Sequence, residues 1–247
     1  MIEIGRARLP GHDGGPAQDI RLVFLDPSHA GAIAALQAAA IGTMMYPITP
    51  SQIVEMLGPR GCTVGVLAGE GAGERLIGFF ALLFPGRDPE SMGYDFGLRD
   101  AELDAVAHWT AVIVHPSFRG HGLQTRMVMA VERLFPQAPV EFGFVTVRTD
   151  NWASLRSMLA AGFAISKIAP KFDGWLRYTL FRITPADAPP EAEGCRWVDA
   201  TDVETQARWL GEGFVGCAFD PSTARLRFAR LSPDSVAGRI RARPPHR

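Results

Sequence analysis

Arg119-Gly120-His121-Gly122 follows the apolar run Ala111-Val112-Ile113-Val114-His115-Pro116 and opens a stretch of apolar residues at helical spacing. A strand that ends at a proline and turns through two glycines into a helix is a place to hold a phosphate. Gly120 and Gly122 let the main chain approach a ligand closely and adopt dihedrals closed to other residues. The first peptide N–H groups of the helix expected over 120–135 have no intrahelical acceptor. The helix dipole adds partial positive charge at that end, which suits a mono- or diphosphate. Arg119 and Arg126 are placed to add charge-assisted bonds. The glycine spacing is neither that of the dinucleotide fingerprint nor that of a P-loop, since no Gly-Lys-Ser/Thr follows.

A second block stands about thirty residues on. Glu141-Phe142-Gly143-Phe144-Val145-Thr146-Val147 alternates like a strand, and Asp150-Asn151-Trp152-Ala153-Ser154 starts a capped helix that runs to Ala161 and closes on Gly162-Phe163. Strand, helix, strand, helix and Gly-Phe thus recur in order.

At these residues the chain resembles the GCN5-related N-acetyltransferase family. That family's pyrophosphate loop reads Arg/Gln-x-x-Gly-x-Gly/Ala, and its next block reads Asn-x-x-Ala/Ser-x-x-x-Tyr-x-x-x-Gly-Phe. The resemblance spans about residues 20–184. It implies an α/β fold with a mixed, mostly antiparallel central sheet flanked by helices, and acetyl-CoA as cofactor, with no metal. It assigns the pyrophosphate to Arg119, Gly120, His121, Gly122, Leu123, Gln124 and Thr125. The pantetheine arm goes to the backbone of Val112 and Val114, at the splayed end of the strand around 108–115, and to Asn151 and Ser154. Acetyl-CoA is then expected in the gap between the strands at 108–115 and 141–147. Thr43-Met44-Met45-Tyr46-Pro47 falls where the family shapes its acceptor pocket.

Two residues depart from the pattern. Gln124 occupies the loop's last Gly/Ala position. Met158 stands where many members carry the tyrosine that protonates the leaving thiolate, and a thioether donates no proton. Either another group or water supplies that proton, or the protein binds acyl-CoA without efficient transfer. Tyr46, Tyr94 and Tyr178 are the only tyrosines, and Tyr46 and Tyr94 fall in segments expected near the acceptor. His108 lies near the position where relatives keep a glutamate base. It shares a strand face with Thr110, Val112 and Val114, and a neutral imidazole there is a candidate base for the ammonium proton. The plain alternatives are a structural His108 and an Asn151 that only caps its helix. His115, Trp109 and Trp152 read as packing residues.

The 247 residues, 47% of them hydrophobic, exceed one average domain and suffice for a good core. A net charge of −1 gives no global field for nucleic acid or membrane. Locally, the stretch from Arg119 to Arg177 is basic, which suits a polyanionic cofactor. The segment 85–107 is acidic and is expected to border the acceptor site and favour an amine. Cys62, Cys195 and Cys217 have no close pair and read as incidental thiols of a reducing compartment. The absence of a signal core or a membrane-length apolar run points to the cytoplasm. Lysine appears only at 167 and 171; abundant arginine, alanine and glycine suggest a GC-rich bacterial genome.

Residues 1–18 are Gly/Pro-rich and read as a flexible N-terminus, 19–184 as the acetyltransferase domain, and 185–247 as a Pro/Ala linker with a small α+β extension. Within the extension, 195–198 and 224–231 read as strands, 202–210 as a helix, and Arg239-Ile240-Arg241-Ala242-Arg243 as a solvated tail. The extension is expected to pack on the core or on a second subunit, so a homodimer is among the arrangements left open. The function that follows is transfer of an acetyl group from acetyl-CoA to a small-molecule or peptide amine by direct attack. Two other classes compete: a non-catalytic acyl-CoA-binding or sensing protein, and an interaction protein that uses the C-terminal extension.

Overall fold

The computed structural model describes residues 2–10, 17–40, 42, 46–69, 71–133, 140–172, 174–184 and 194–245. The chain divides into two compact units, Met1–Phe84 with Trp109–Pro139 and Pro85–His108 with Val140–Arg247. Among the described residues no helix is long and apolar enough to cross a membrane.

In the first unit β1 (Ile2–Leu9), β2 (Gln18–Phe24), β3 (Gly61–Ala68) and β4 (Arg75–Leu83) pair antiparallel in sequence order. β4 is followed by β5 (Val106–Val114), of which 109–114 belong to this unit. Helices α1 (Ala30–Ala40) and α2 (Pro50–Leu57) bury Ile33, Leu36, Ile53 and Met56 against Val23, Phe79, Ala81, Ala111 and Ile113. Both starts carry reciprocal caps. Asp26 Oδ1 accepts the Ser28 N–H ahead of α1, and Thr49 and Gln52 exchange side-chain bonds at α2. Gln37 pairs amide-to-amide with Ile48, through bonds of 2.8 and 2.9 Å, and so ties the segment entering α2 to α1.

Residues 2–9 are not loose. They form β1 because β2 offers an unpaired edge, and backbone groups in a sheet need partners. Cross-strand ion pairs Arg21–Glu3 and Arg8–Asp19 line the ladder. That pairing joins segments separated by a Gly/Pro stretch, so composition alone pointed the other way. Residues 11–16 lie outside the described residues, as do the expected acceptor-pocket residues Thr43, Met44 and Met45 and the linker 185–190.

In the second unit the start of β5 pairs parallel with β6 (Phe142–Arg148) through Val106–Phe142, Ala107–Gly143 and His108–Phe144. β6 pairs antiparallel with β8 (Trp175–Ile183), and β8 with β7 (Ala164–Lys171). β10 (Phe214–Asp220) joins β7 at Gly216–Ile165, then pairs with β11 (Arg225–Arg230), which pairs with β9 (Arg196–Asp199). A Cβ on Gly216 would meet Ile165 Cδ1 at 2.6 Å, so only glycine lets β10 approach. The acidic segment folds over Phe144 and Phe181 as a 3-10 turn, Met92–Phe96, and as α3 (Ala101–Asp104), burying Phe96, Leu98 and Leu103. Helices α5 (Trp152–Ala160), α6 (Val203–Gly211) and α7 (Val236–Arg241) complete the unit.

The C-terminal run is not a solvated tail. Ala237 and Ile240 of α7 are buried with Phe96 and Leu98, and Arg243 pairs with Glu102 at 2.8 Å. A six-residue helix with one glycine and two arginines has too short an apolar period to be legible.

A buried polar network fixes the C-terminal elements to β8. Tyr178 Oη donates to Gln206 Oε1 at 2.7 Å, and Gln206 Nε2 donates to the Asp199 and Ala200 carbonyls at 2.9 and 3.1 Å. Burial pushes the Tyr178 phenol well above its ordinary pKa and keeps it a donor. Gln206→Ala would strand a hydroxyl and two carbonyls without partners. The expected cost is about 2 kcal/mol, read as a lower urea midpoint with an unchanged m-value; an unshifted midpoint would mean that water replaces the amide.

Candidate functional site

In the first unit the strand-to-helix turn is held from below. Ala111 and Ile113 are buried, while Val112 and Val114 are half-buried on the alternate face and Thr110 is exposed. Pro116–Phe118 forms a 3-10 turn in which His115 Nδ1 accepts the Ser117 N–H, and buried Phe118 lies edge-on to the His115 ring. Gly120 and Gly122 then take φ of 81° and 69°, in the left-handed region that favours glycine. α4 (Leu123–Glu132) starts directly behind them, with Gly122 as its cap residue and no side-chain cap. Its first-turn N–H groups therefore point out of the turn with no acceptor from their own helix. Leu123, Met127, Val128 and Val131 anchor the helix in the core.

Arg119 does not stand free to meet a phosphate. Its Nε donates to the Val114 carbonyl at 3.2 Å and its Nη2 to the Ala40 carbonyl, the last of α1, at 2.7 Å. It clamps the turn to the strand before it and to a helix end. His121 Nδ1 lies 3.0 Å from the Arg119 carbonyl. Thr125 and Arg126 are exposed. Gln124 is half-buried, and its Nε2 is buried without a hydrogen-bond partner. Tyr46 is also in this unit, 37% exposed.

In the second unit Asn151 caps α5, its Oδ1 accepting the Ser154 N–H at 3.2 Å. Met158, on the next turn, is 3% exposed and belongs to the core. His108 Nε2 accepts the Met92 N–H at 3.1 Å, and the ring meets Phe144 edge-on. Burial, and after it the charge of Lys171, hold its pKa down to about 4. The imidazole is thus neutral at pH 7, yet its basic lone pair is occupied by a backbone donor. The Tyr94 hydroxyl donates to the Arg87 carbonyl at 3.2 Å. The acidic segment spends part of its charge internally, with Asp104 on Arg87 and Glu102 on Arg243.

Sequence reasoning missed three residues on the His108 face: Arg148, Lys171 and Arg177. Arg148 and Arg177 are direct cross-strand neighbours on β6 and β8. The period-2 pattern assigns each to a face of its own strand, but which residues become neighbours depends on a register that sequence does not print.

Residues 45–163 match the model of the acetyltransferase (GNAT) family. The fold is similar to that of Arabidopsis thaliana NAA60 in complex with acetyl-CoA, at 14% identity and a TM-score of 0.55, over 68% of this chain and 99% of that one. It is similar also to a putative acetyltransferase from Acinetobacter baylyi ADP1, at 18% identity and a TM-score of 0.52, over 70% of this chain and 98% of that one. No curated protein matches the chain.

The state of His108 has a measurable consequence. The folded protein keeps it neutral down to about pH 4, whereas the unfolded chain takes up the proton near the ordinary value of 6.5. Between those values the unfolded state binds more protons, so this contribution to stability is full above pH 6.5 and is lost as pH falls toward 4. The urea midpoint of the wild type is expected to decline across that window, and His108→Asn to flatten the decline. Parallel pH profiles for the two proteins would mean that His108 is solvated.

Proposed function

We propose that this chain, whose residues 45–163 match the acetyltransferase (GNAT) family model, moves an acetyl group from acetyl-CoA to a primary amine by direct attack in a ternary complex. The observation that carries the reading is the uncapped first turn of α4, entered through Gly120 and Gly122. The residues present fit a pyrophosphate. No atom lies within 4 Å of where a Cβ on either glycine would stand, so the backbone is open to close approach, and Gln124 Nε2 beside it is a buried donor without a partner. The turn's N–H groups and the dipole of α4 bind the anion, and Arg119 holds the turn rather than the ligand.

Acetyl-CoA supplies an activated acyl group on a good leaving thiol. The backbone of Val112 and Val114 orients the pantetheine arm and donates to the thioester carbonyl as charge develops there. In the second unit Asn151, whose oxygen caps α5, and Ser154 are the residues that the family resemblance assigns to cofactor binding. Fixing the attack geometry supplies much of the rate. In the transfer a C–N bond forms and the C–S bond breaks. Of the two protons that the ammonium loses, one leaves on the thiol and the other passes to solvent.

His108 acts as a positioning residue, because taking up a proton at Nε2 would break its bond to the Met92 N–H. Tyr46 and Tyr94 are the candidate donors for the leaving thiolate, and the Tyr94 hydroxyl donates to the Arg87 carbonyl. The buried thioether of Met158 favours one other reading, acyl-CoA binding without turnover.

Calorimetric titration of acetyl-CoA into the wild type is expected to give micromolar binding, weakened at least about 100-fold by Gly122→Glu, or ~2.7 kcal/mol. Thiol release over a panel of amines then separates enzyme from sensor. A folded wild type that binds neither acetyl-CoA nor CoA would overturn the proposal.

A further inference from the structure

The face of the second unit that carries His108 gathers positive charge. The β6–β8 register sets Arg148 directly opposite Arg177, and like charges so placed repel. Lys171 stands on β7, opposite Trp175 beside the hairpin turn, and its charge reaches His108.

The two guanidinium groups are compensated unequally. Arg148 makes a bidentate pair with Asp150, at 2.9 and 2.5 Å, and lies 4.6 Å over the Trp175 ring. Arg177 has no carboxylate among the described residues. Its Nε donates to Thr146 Oγ1 at 3.1 Å and its Nη2 to the Thr146 carbonyl at 2.8 Å, while Nη1 is buried with no hydrogen-bond partner. Burial and the neighbouring charge of Arg148 bring its pKa down to about 10. Leaving such a donor unmet is costly, and a guanidinium edge matches a carboxylate in plane and spacing.

The cover over this group is itself partly exposed. Phe172, whose ring lies 5.0 Å from the Arg177 guanidinium carbon, sits at the tip of the β7–β8 hairpin with φ of 48° and is 43% exposed. A non-glycine residue in that conformation stores strain, as segments that move at binding sites do. Asp88 acts on His108 with the sign opposite to Lys171.

We propose that Arg177, supported by Arg148 and Lys171, is a carboxylate subsite, and that the acceptor is therefore an amine that also carries a carboxylate, of amino-acid type. The inference rests on the acetyltransfer reading above, because it takes this face of the second unit as the one that meets the acceptor.

The test has two arms. In the first, thiol release is measured with L-leucine and L-phenylalanine, their amides and their decarboxylated amines. The free acids are expected to have kcat/KM about tenfold or more above the amides, as the loss of a charged hydrogen bond implies, and Arg177→Gln should bring that ratio close to one. The ratio is internal to each protein, so a poorly folded variant lowers both numbers without changing it. Equal rates for acids and amides in an active wild type would overturn the subsite and leave acetyl transfer standing.

In the second arm N-acetyl-leucine and N-acetyl-leucinamide, which cannot react, are titrated calorimetrically into the CoA-saturated wild type. Tighter binding of the acid by about tenfold supports the subsite; equal binding, or none, overturns it. A wild type that binds no acetyl-CoA and turns over no amine would instead sink the acetyltransfer reading. Titrated without CoA, the same two probes would then decide the subsite alone.

Discussion

Every helix leaves its first backbone N–H groups without intrahelical acceptors, and the first unit depends on that constraint at α4. Nothing in the side chains of Gly122 or its neighbours closes the turn. The surroundings make it rigid instead. Leu123 and Met127 pin the helix from the core side, Phe118 plugs the preceding turn, and Arg119 ties it to the Val114 and Ala40 carbonyls. The outcome is a preorganised set of donors at the positive end of a helix dipole, an arrangement that suits an anion.

Arginine supplies much of the scaffolding in both units, and it does so at helix ends. Arg119 meets the last carbonyl of α1, Arg182 the Ala161 carbonyl behind α5, and Arg241 the Leu210 carbonyl near the end of α6. Carbonyls at a helix C-terminus carry the negative end of the dipole. A planar fork with five donors serves them while its apolar stem packs. The preponderance of arginine over lysine is thus put to structural use, and a count of basic residues around the loop overstates what is left for a polyanion.

The second unit shows how burial redirects chemistry. His108 is a candidate base by resemblance, but desolvation and Lys171 keep it neutral, and the Met92 N–H uses its lone pair. Its role becomes to fix the segment that folds over Phe144. On the same face Arg177 stays charged and keeps one donor unmet. The electrostatics there suit the recognition of an anion better than the abstraction of a proton.

The sequence by itself determined the strand around 108–115 that turns into the helix expected over 120–135 and the capped helix after Asn151, because these rest on signals a few residues apart: glycine dihedrals, cap chemistry and the 2.0 and 3.6 periods; the mixed, mostly antiparallel sheet was implied only by the family resemblance. Strands at 196–199 and 225–230 and the helix after Asp202 were legible for the same reason. Only the tertiary structure decided that residues 2–9 pair with β2 and that the C-terminal arginines close a core. It alone sent Arg119 to carbonyls and set Arg148 opposite Arg177. Each of these depends on partners tens of residues away. Strand register and the burial of a given polar atom arise from the whole chain's packing, and a local pattern carries no information about which distant group will answer it.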